Sequence, residues 1–193
     1  MSTSKLAPMV VHGWTVFAHP LFLAQLEALA QQVEALKQKN PAEYVKKNAT
    51  KRLAAITRLA FDVIPQDPAR PEYRQGNILG DDHKHWFRAK FFQQYRLFFR
   101  YHAPSKVIVF AWVNDEGSKR AYESSDDVYR VFRKMLANGH PPDDWNQLLT
   151  EARAEGGRLQ RFANEQFVLL TRMDGKTMIP DHVGEDVPQG PLS

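Results

Sequence analysis

The chain has 193 residues, 43% of them hydrophobic and 11% aromatic, a size that suits one domain with a substantial core. It contains no cysteine, which excludes disulfide scaffolding, thiolate nucleophiles and every cysteine-based zinc site. The net charge of +4 is unevenly spread: residues 1–140 carry 21 Lys and Arg against 13 Asp and Glu, and residues 141–193 carry 5 against 9. A basic block followed by an acidic tail fits a polyanionic partner for the first part, although a solvated basic face is the commoner source of such a bias. The longest unbroken apolar stretch, Val107 to Val113, is far short of the roughly 18–20 residues of a membrane helix. With no apolar h-region near Met1, a soluble cytoplasmic protein is expected.

In chain order, Trp14 to Ala18 predicts a strand. From Pro20 to about Gln38, Phe22, Leu26, Leu29, Val33 and Leu36 recur at steps of four and three and form one stripe of an amphipathic helix. Asn40-Pro41 followed by Glu43 predicts a cap and the start of a second helix, reaching about residue 62 with Ala49, Leu53, Ile56 and Ala60 inward. The short break makes the two an antiparallel hairpin. Residues 63–85, interrupted by Pro65, Pro68, Pro71, Gly76 and Gly80, read as loop.

The period then changes to two. Trp86 to Phe92 and Tyr95 to Tyr101 alternate, and Val107 to Val113 is an apolar, β-branched run of the kind covered on both faces. Short turns at Gln93-Gln94 and Ala103-Pro104-Ser105 make these three an antiparallel meander. Ser125-Asp126-Asp127 can cap a helix carrying Val128, Phe132 and Met135, stopped by Gly139 and Pro141-Pro142. A further helix begins near Asp143-Asp144 and buries Trp145, Leu148 and Leu149, and residues 158–170 also read as helical. Residues 174–193, rich in proline and glycine, predict a mobile tail. The expected architecture is α+β: a small antiparallel sheet in the order β-α-α-β-β-β, a helical hairpin packed on one face, and C-terminal helices. The principal domain spans residues 11–150, with an extension over 151–193.

Strand parity sorts the cations. If Phe87, Ala89 and Phe91 face the hairpin, Arg88 and Lys90 point away from it; if Leu97 and Phe99 face in, Arg96 and Arg100 point out beside them. Neighbouring strands lie about 4.8 Å apart, so these four charges crowd one surface and repel unless an anion, or acids from elsewhere in the chain, relieve them. Trp86, Phe92 and Phe98 fall on the same face, and aromatic planes among Arg and Lys are what unstacked bases rest on. The segment Trp112-Val113-Asn114-Asp115-Glu116, continuing to Lys119, Arg120 and Tyr122, follows at the sheet's end. Trp86, Arg100, Trp112, Asn114 and Asp115 are accordingly the expected RNA contacts. Arg100 serves equally well as the partner of an acid, and Asp115 as a group that orients Arg96 or Lys119.

These phrases resemble a known family. Arg88-Ala89-Lys90, then Tyr95-Arg96-Leu97-Phe98-Phe99, an apolar strand and Lys119-Arg120-Ala121-Tyr122 are similar to the RelE/ParE toxin superfamily. Val11-His12-Gly13-Trp14, Ala18-His19-Pro20, Lys106-Val107-Ile108 and the run from Phe132 through Gly139-His140-Pro141-Pro142-Asp143-Asp144-Trp145 resemble its YhaV branch, over about residues 11–150. The resemblance implies a growth-arresting endoribonuclease that cleaves mRNA on the translating ribosome by attack of a 2′-hydroxyl on the adjacent phosphate. It implies no cofactor and no metal. The implied partners are the ribosome, mRNA and a PrlF-like antitoxin, with operator DNA reached only through the antitoxin complex.

By position, Arg88 and Lys90 match the family's strand pair of cations, Arg96 its strand arginine, Lys119 or Arg120 its later arginines and Tyr122 its late tyrosine. The last stretch requires a one-residue gap. On that basis Arg96 would hold the scissile phosphate, Arg88 or Arg120 would add charge, and Lys90 or Tyr122 would accept the 2′-hydroxyl proton. His83 and His85 are the rival acid and base. Their spacing also suggests a metal site, but no third ligand is evident in the sequence. Two other functions are compatible with the fold: a ParE-like gyrase inhibitor, and a non-catalytic nucleic-acid-binding corepressor.

Overall fold

The computed structural model describes residues 7–115 and 126–172, so the tail from 173 onward and the segment holding Lys119, Arg120 and Tyr122 lie outside the described residues. The helical hairpin is formed by α1 (Pro20–Lys39) and α2 (Asn48–Arg58). His19 caps α1 by accepting the Leu21 N–H at Nδ1 (3.2 Å), with Pro20 at the first position, where a missing N–H does no harm. The second helix starts later than the Asn40-Pro41 signal predicts. Tyr44 is buried in a 3-10 turn over Tyr44–Lys46, and the Thr50 hydroxyl donates to the Tyr44 carbonyl (2.7 Å), so burial of the tyrosine overrides the local cap. Beyond α2 the helix widens into a π turn, Leu59–Val63, before a last turn, α3 (Ile64–Gln66). The widening comes directly ahead of Pro65, whose ring and missing N–H a regular helix does not accommodate.

Five strands follow the order β1-β2-β5-β4-β3: β1 (Val10–Val11), β2 (Trp14–Ala18), β3 (Phe87–Phe91), β4 (Tyr95–His102) and β5 (Val107–Val113). The expected meander β3-β4-β5 is present, and β2 adds to it in parallel beside β5, with Val16 opposite Ile108. Every residue of β5 is buried, because helices cover both of its faces. On one side Val16, Leu97, Phe99, Ile108 and Phe110 pack with Phe22, Leu26 and Ile56 of the hairpin and with Leu159 and Phe162 of α6 (Gly156–Arg172). On the other, Trp86, Phe98, Val109 and Trp112 pack under Phe132 and Leu136 of α4 (Asp126–Ala137) and Leu148 of α5 (Trp145–Ala154). A register shift between Phe98 and Phe99 puts Ala111 and Trp112, neighbours in sequence, into this same second layer. Among the described residues no helix is long and apolar enough to cross a membrane.

The second layer corrects three expectations. Trp86 and Phe98 are 0% exposed and Trp112 is buried, so none of them offers a face to a base. Phe132 stacks on Phe98 (ring centroids 4.1 Å apart) and on Trp112 (5.7 Å), and meets Trp86 edge-on at 5.0 Å. The apolar stripe of α4 needs a partner, and these aromatics are the partner. Phe92 is not in the strand at all. It begins the β3–β4 turn with φ +46°, and its ring leans on Phe91 and the hairpin layer.

Candidate functional site

The β3–β4 hairpin supplies the charged end of the sheet. Lys90 is paired directly opposite Arg96, and Arg88 opposite Phe98. The connecting turn holds two non-glycine residues at positive φ, Phe92 (+46°) and Gln93 (+61°), each a conformation costing about 1–3 kcal/mol. Arg96 and Asn114 clamp this turn. The Arg96 guanidinium donates through one terminal nitrogen to the carbonyls of Gln93 (2.7 Å) and Tyr95 (2.9 Å). Buried Asn114 accepts the Arg96 backbone N–H (2.7 Å) and donates to the Gln94 carbonyl (2.9 Å), which gives it a positioning role instead of an RNA contact.

Both arginines are 7% exposed, and their partners are neutral. Arg88 donates from Nε to the Tyr129 hydroxyl (2.8 Å) and from a terminal nitrogen to the Glu72 carbonyl (2.6 Å). Arg96 Nε is buried with no hydrogen-bond partner among the described residues. Exposed Lys90 lies between them, and desolvation first, then the charge of Arg88 and less so that of Arg96, holds its ammonium below the usual lysine pKa, with Tyr129 opposing. Among the described residues none of the three forms an ion pair with a carboxylate. A buried cation without an opposite charge is costly, and an anion at this end of the sheet would relieve that cost, given the partners found among the described residues.

Tyr129 is absent from the sequence-derived set. It stands three residues before Phe132, so the helical spacing that marked Phe132 also placed it on the sheet side. Tyr129→Phe keeps the ring and strands Arg88 Nε, at about 2 kcal/mol. The expected fall in Tm is about 4–8 °C, read by thermal denaturation.

The other expected residues lie elsewhere. Arg100 is half-buried and its contacts lie away from the Lys90 cluster. Its guanidinium packs over Trp86 (5.6 Å) and Trp145 (5.2 Å) and donates to the Asp143 carbonyl (2.6 Å), and burial lowers its pKa against the pull of Asp143 and Asp144. His83 and His85 both turn to the Asp143 carboxylate, at 3.3 and 2.8 Å, and Trp86 donates its indole N–H to the same oxygen (2.7 Å). Burial raises the Asp143 pKa, but the Trp86 and His85 hydrogen bonds and the nearby imidazoles outweigh it, and the net shift is downward. The acidic partner of the two histidines that the sequence reading lacked is therefore Asp143, 58 residues beyond His85. Asp115 lines a cavity of about 300 Å³ with Gln25, Leu29, Ile56, Val113 and Arg52, a buried arginine stacked over the Tyr95 ring at 4.7 Å.

A family model described as a toxin with endonuclease activity, of toxin–antitoxin system, matches residues 16–153. Toxin YhaV of Escherichia coli O6:H1 is 46% identical over 146 residues, covering 75% of this chain and 95% of that protein. Ribonuclease toxin YhaV of Escherichia coli K12 is 45% identical over the same length and coverage. No solved structure matches the chain. The similarity runs from β2 through α5 and so takes in strands β2 to β5, the hairpin clamp and the second aromatic layer: the chain belongs to the YhaV family, the toxins of a toxin–antitoxin system.

Proposed function

We propose that this toxin is an endoribonuclease that cleaves mRNA, with the scissile phosphate seated between Arg88, Lys90 and Arg96. The observation that carries this reading is the meeting of three cations on one face, two of them buried, with no carboxylate paired to any of them among the described residues. RNA cleavage without water as nucleophile needs a base for the 2′-hydroxyl, charge for a dianionic phosphorane and a proton for the leaving oxygen. Lys90, its pKa already lowered, takes the 2′-hydroxyl proton on Nζ as the 2′-oxygen–phosphorus bond forms. Arg96 and Arg88 hold the non-bridging oxygens through their terminal guanidinium nitrogens. The phosphorus–5′-oxygen bond then breaks, and the leaving 5′-oxygen takes a proton from solvent water, so that a 2′,3′-cyclic phosphate and a free 5′-hydroxyl result. Lys119, Arg120 and Tyr122 complete the proposed set on resemblance alone. A PrlF-like antitoxin with an acidic segment over this face would neutralise the toxin by charge complementarity, and the ribosome would present the mRNA.

Expression in bacteria without antitoxin, with cleaved transcripts mapped by ligation to 5′-hydroxyl and 2′,3′-cyclic phosphate ends, tests the reading. Growth arrest with new ends inside translated mRNA is expected. Arrest with intact mRNA and inhibited gyrase would put the ParE-like activity in its place.

A further inference from the structure

We infer that His83, His85 and Asp143 form a site for a transition-metal ion of the zinc class, at the opposite end of β3 from Lys90. One imidazole nitrogen each from His83 and His85 and a carboxylate oxygen of Asp143 all lie within 4.8 Å of one another. Tetrahedral zinc with bonds of about 2.0–2.1 Å places its ligand atoms about 3.3 Å apart. His83 stands 3.3 Å from the Asp143 oxygen and His85 2.8 Å, so an ion entering between them needs shifts of about half an ångström there and a closing of the histidine pair. Two imidazoles and one carboxylate suit zinc, nickel or copper and are poor ligands for magnesium or calcium.

The neighbours hold these ligands in place, as metal sites require. Trp86, locked in the second layer, donates to the Asp143 carboxylate (2.7 Å), and Arg100 donates to the Asp143 backbone carbonyl (2.6 Å). His83 ends a 3-10 turn, Asp81–His83, and its carbonyl accepts from buried Gln75 (2.9 Å). The histidine side chains remain partly open, 21% for His83 and 37% for His85, which leaves a coordination position facing solvent. With Arg100 alongside, that position favours an anionic fourth ligand, chloride, hydroxide or phosphate. The ion would tie the segment before β3 to the start of α5 across the sheet's second face. His85 precedes β3, and Lys90 stands near the strand's other end, so the metal has no part in the proposed cleavage and its binding does not depend on that proposal.

The experiment uses the tag-free full chain, stripped with a chelator and titrated with zinc chloride alone near pH 7.5. Stoichiometry comes from calorimetry and elemental analysis, and Tm from thermal denaturation. The expected result is one high-affinity zinc per chain, with Tm rising about 5–10 °C at a hundredfold excess over Kd. His85→Ala should weaken binding about a hundredfold or more and erase the Tm rise, which is read against the variant's own metal-free Tm because the hydrogen bond to Asp143 is lost with the side chain. His83→Ala should do the same. Absence of stoichiometric zinc, or equal affinity in both variants, overturns the site and leaves a hydrogen-bonded His-Asp-His cluster.

Discussion

Lys90→Met should lower mRNA cleavage by about 100- to 10,000-fold, the usual worth of a positioned general base, with no loss of stability. The side chain is exposed and takes part in no hydrogen bond of the hairpin clamp, so its removal leaves Arg88, Arg96 and the turn in place. The direction of its pKa shift sharpens the expectation. A lysine whose folded pKa lies below its unfolded value binds fewer protons folded than unfolded, so the protein gains stability as pH rises through that window, and at neutral pH the protonated amine is slightly destabilising. Lys90→Met should therefore melt at the wild-type temperature or marginally above it. Wild-type cleavage should climb with pH and begin to level off below the free-lysine pKa of about 10.4; Lys90→Met should lose that limb. Initial rates across pH, beside melting curves for both proteins, check all three. Arg96→Ala is a poorer test, since it unclamps a strained turn and removes function and structure together.

Phe132→Ala should give the largest loss of stability, about 3–5 kcal/mol for a buried phenylalanine truncated in a packed core. In a chain of this size that lowers Tm by roughly 6–20 °C. Phe132 is fully buried and is the one side chain of α4 in ring contact with Trp86, Phe98 and Trp112 together. None of these stiff rings can collapse into the vacated space without leaving its own packing. Its loss also loosens Tyr129 one turn earlier, and with it the hydroxyl that fixes Arg88. Equilibrium urea unfolding should show the loss as a lower midpoint, and residual cleavage by the folded fraction should fall as well.

The elements that govern the site were legible where a period alone decides them. Alternation in β3 and β4 placed Arg88, Lys90 and Arg96 on one face, and the apolar run of β5 announced a strand covered twice. Period two assigns a face without saying what covers it, and so Trp86 and Phe98, read as base-stacking platforms, are core beneath α4. Phe92 misled for a local reason: the turn begins one residue early, at a positive φ that aromatic side chains seldom adopt, and strand parity stops there. Asp143 and Tyr129 were hidden because the contacts that give them meaning, with His85 and Arg88, join segments 58 and 41 residues apart.

The central claim is that a transcript's phosphodiester sits between Arg88, Lys90 and Arg96. A structure of the toxin bound to RNA whose reactive 2′-hydroxyl is replaced by hydrogen tests it most directly. The account predicts that phosphate oxygen within about 3 Å of Arg96 and Arg88 nitrogens, with the Lys90 amine facing the vacant 2′-position. A phosphate bound elsewhere, against Arg100 and the two histidines for instance, with Arg96 still wholly engaged by its own turn, would contradict it.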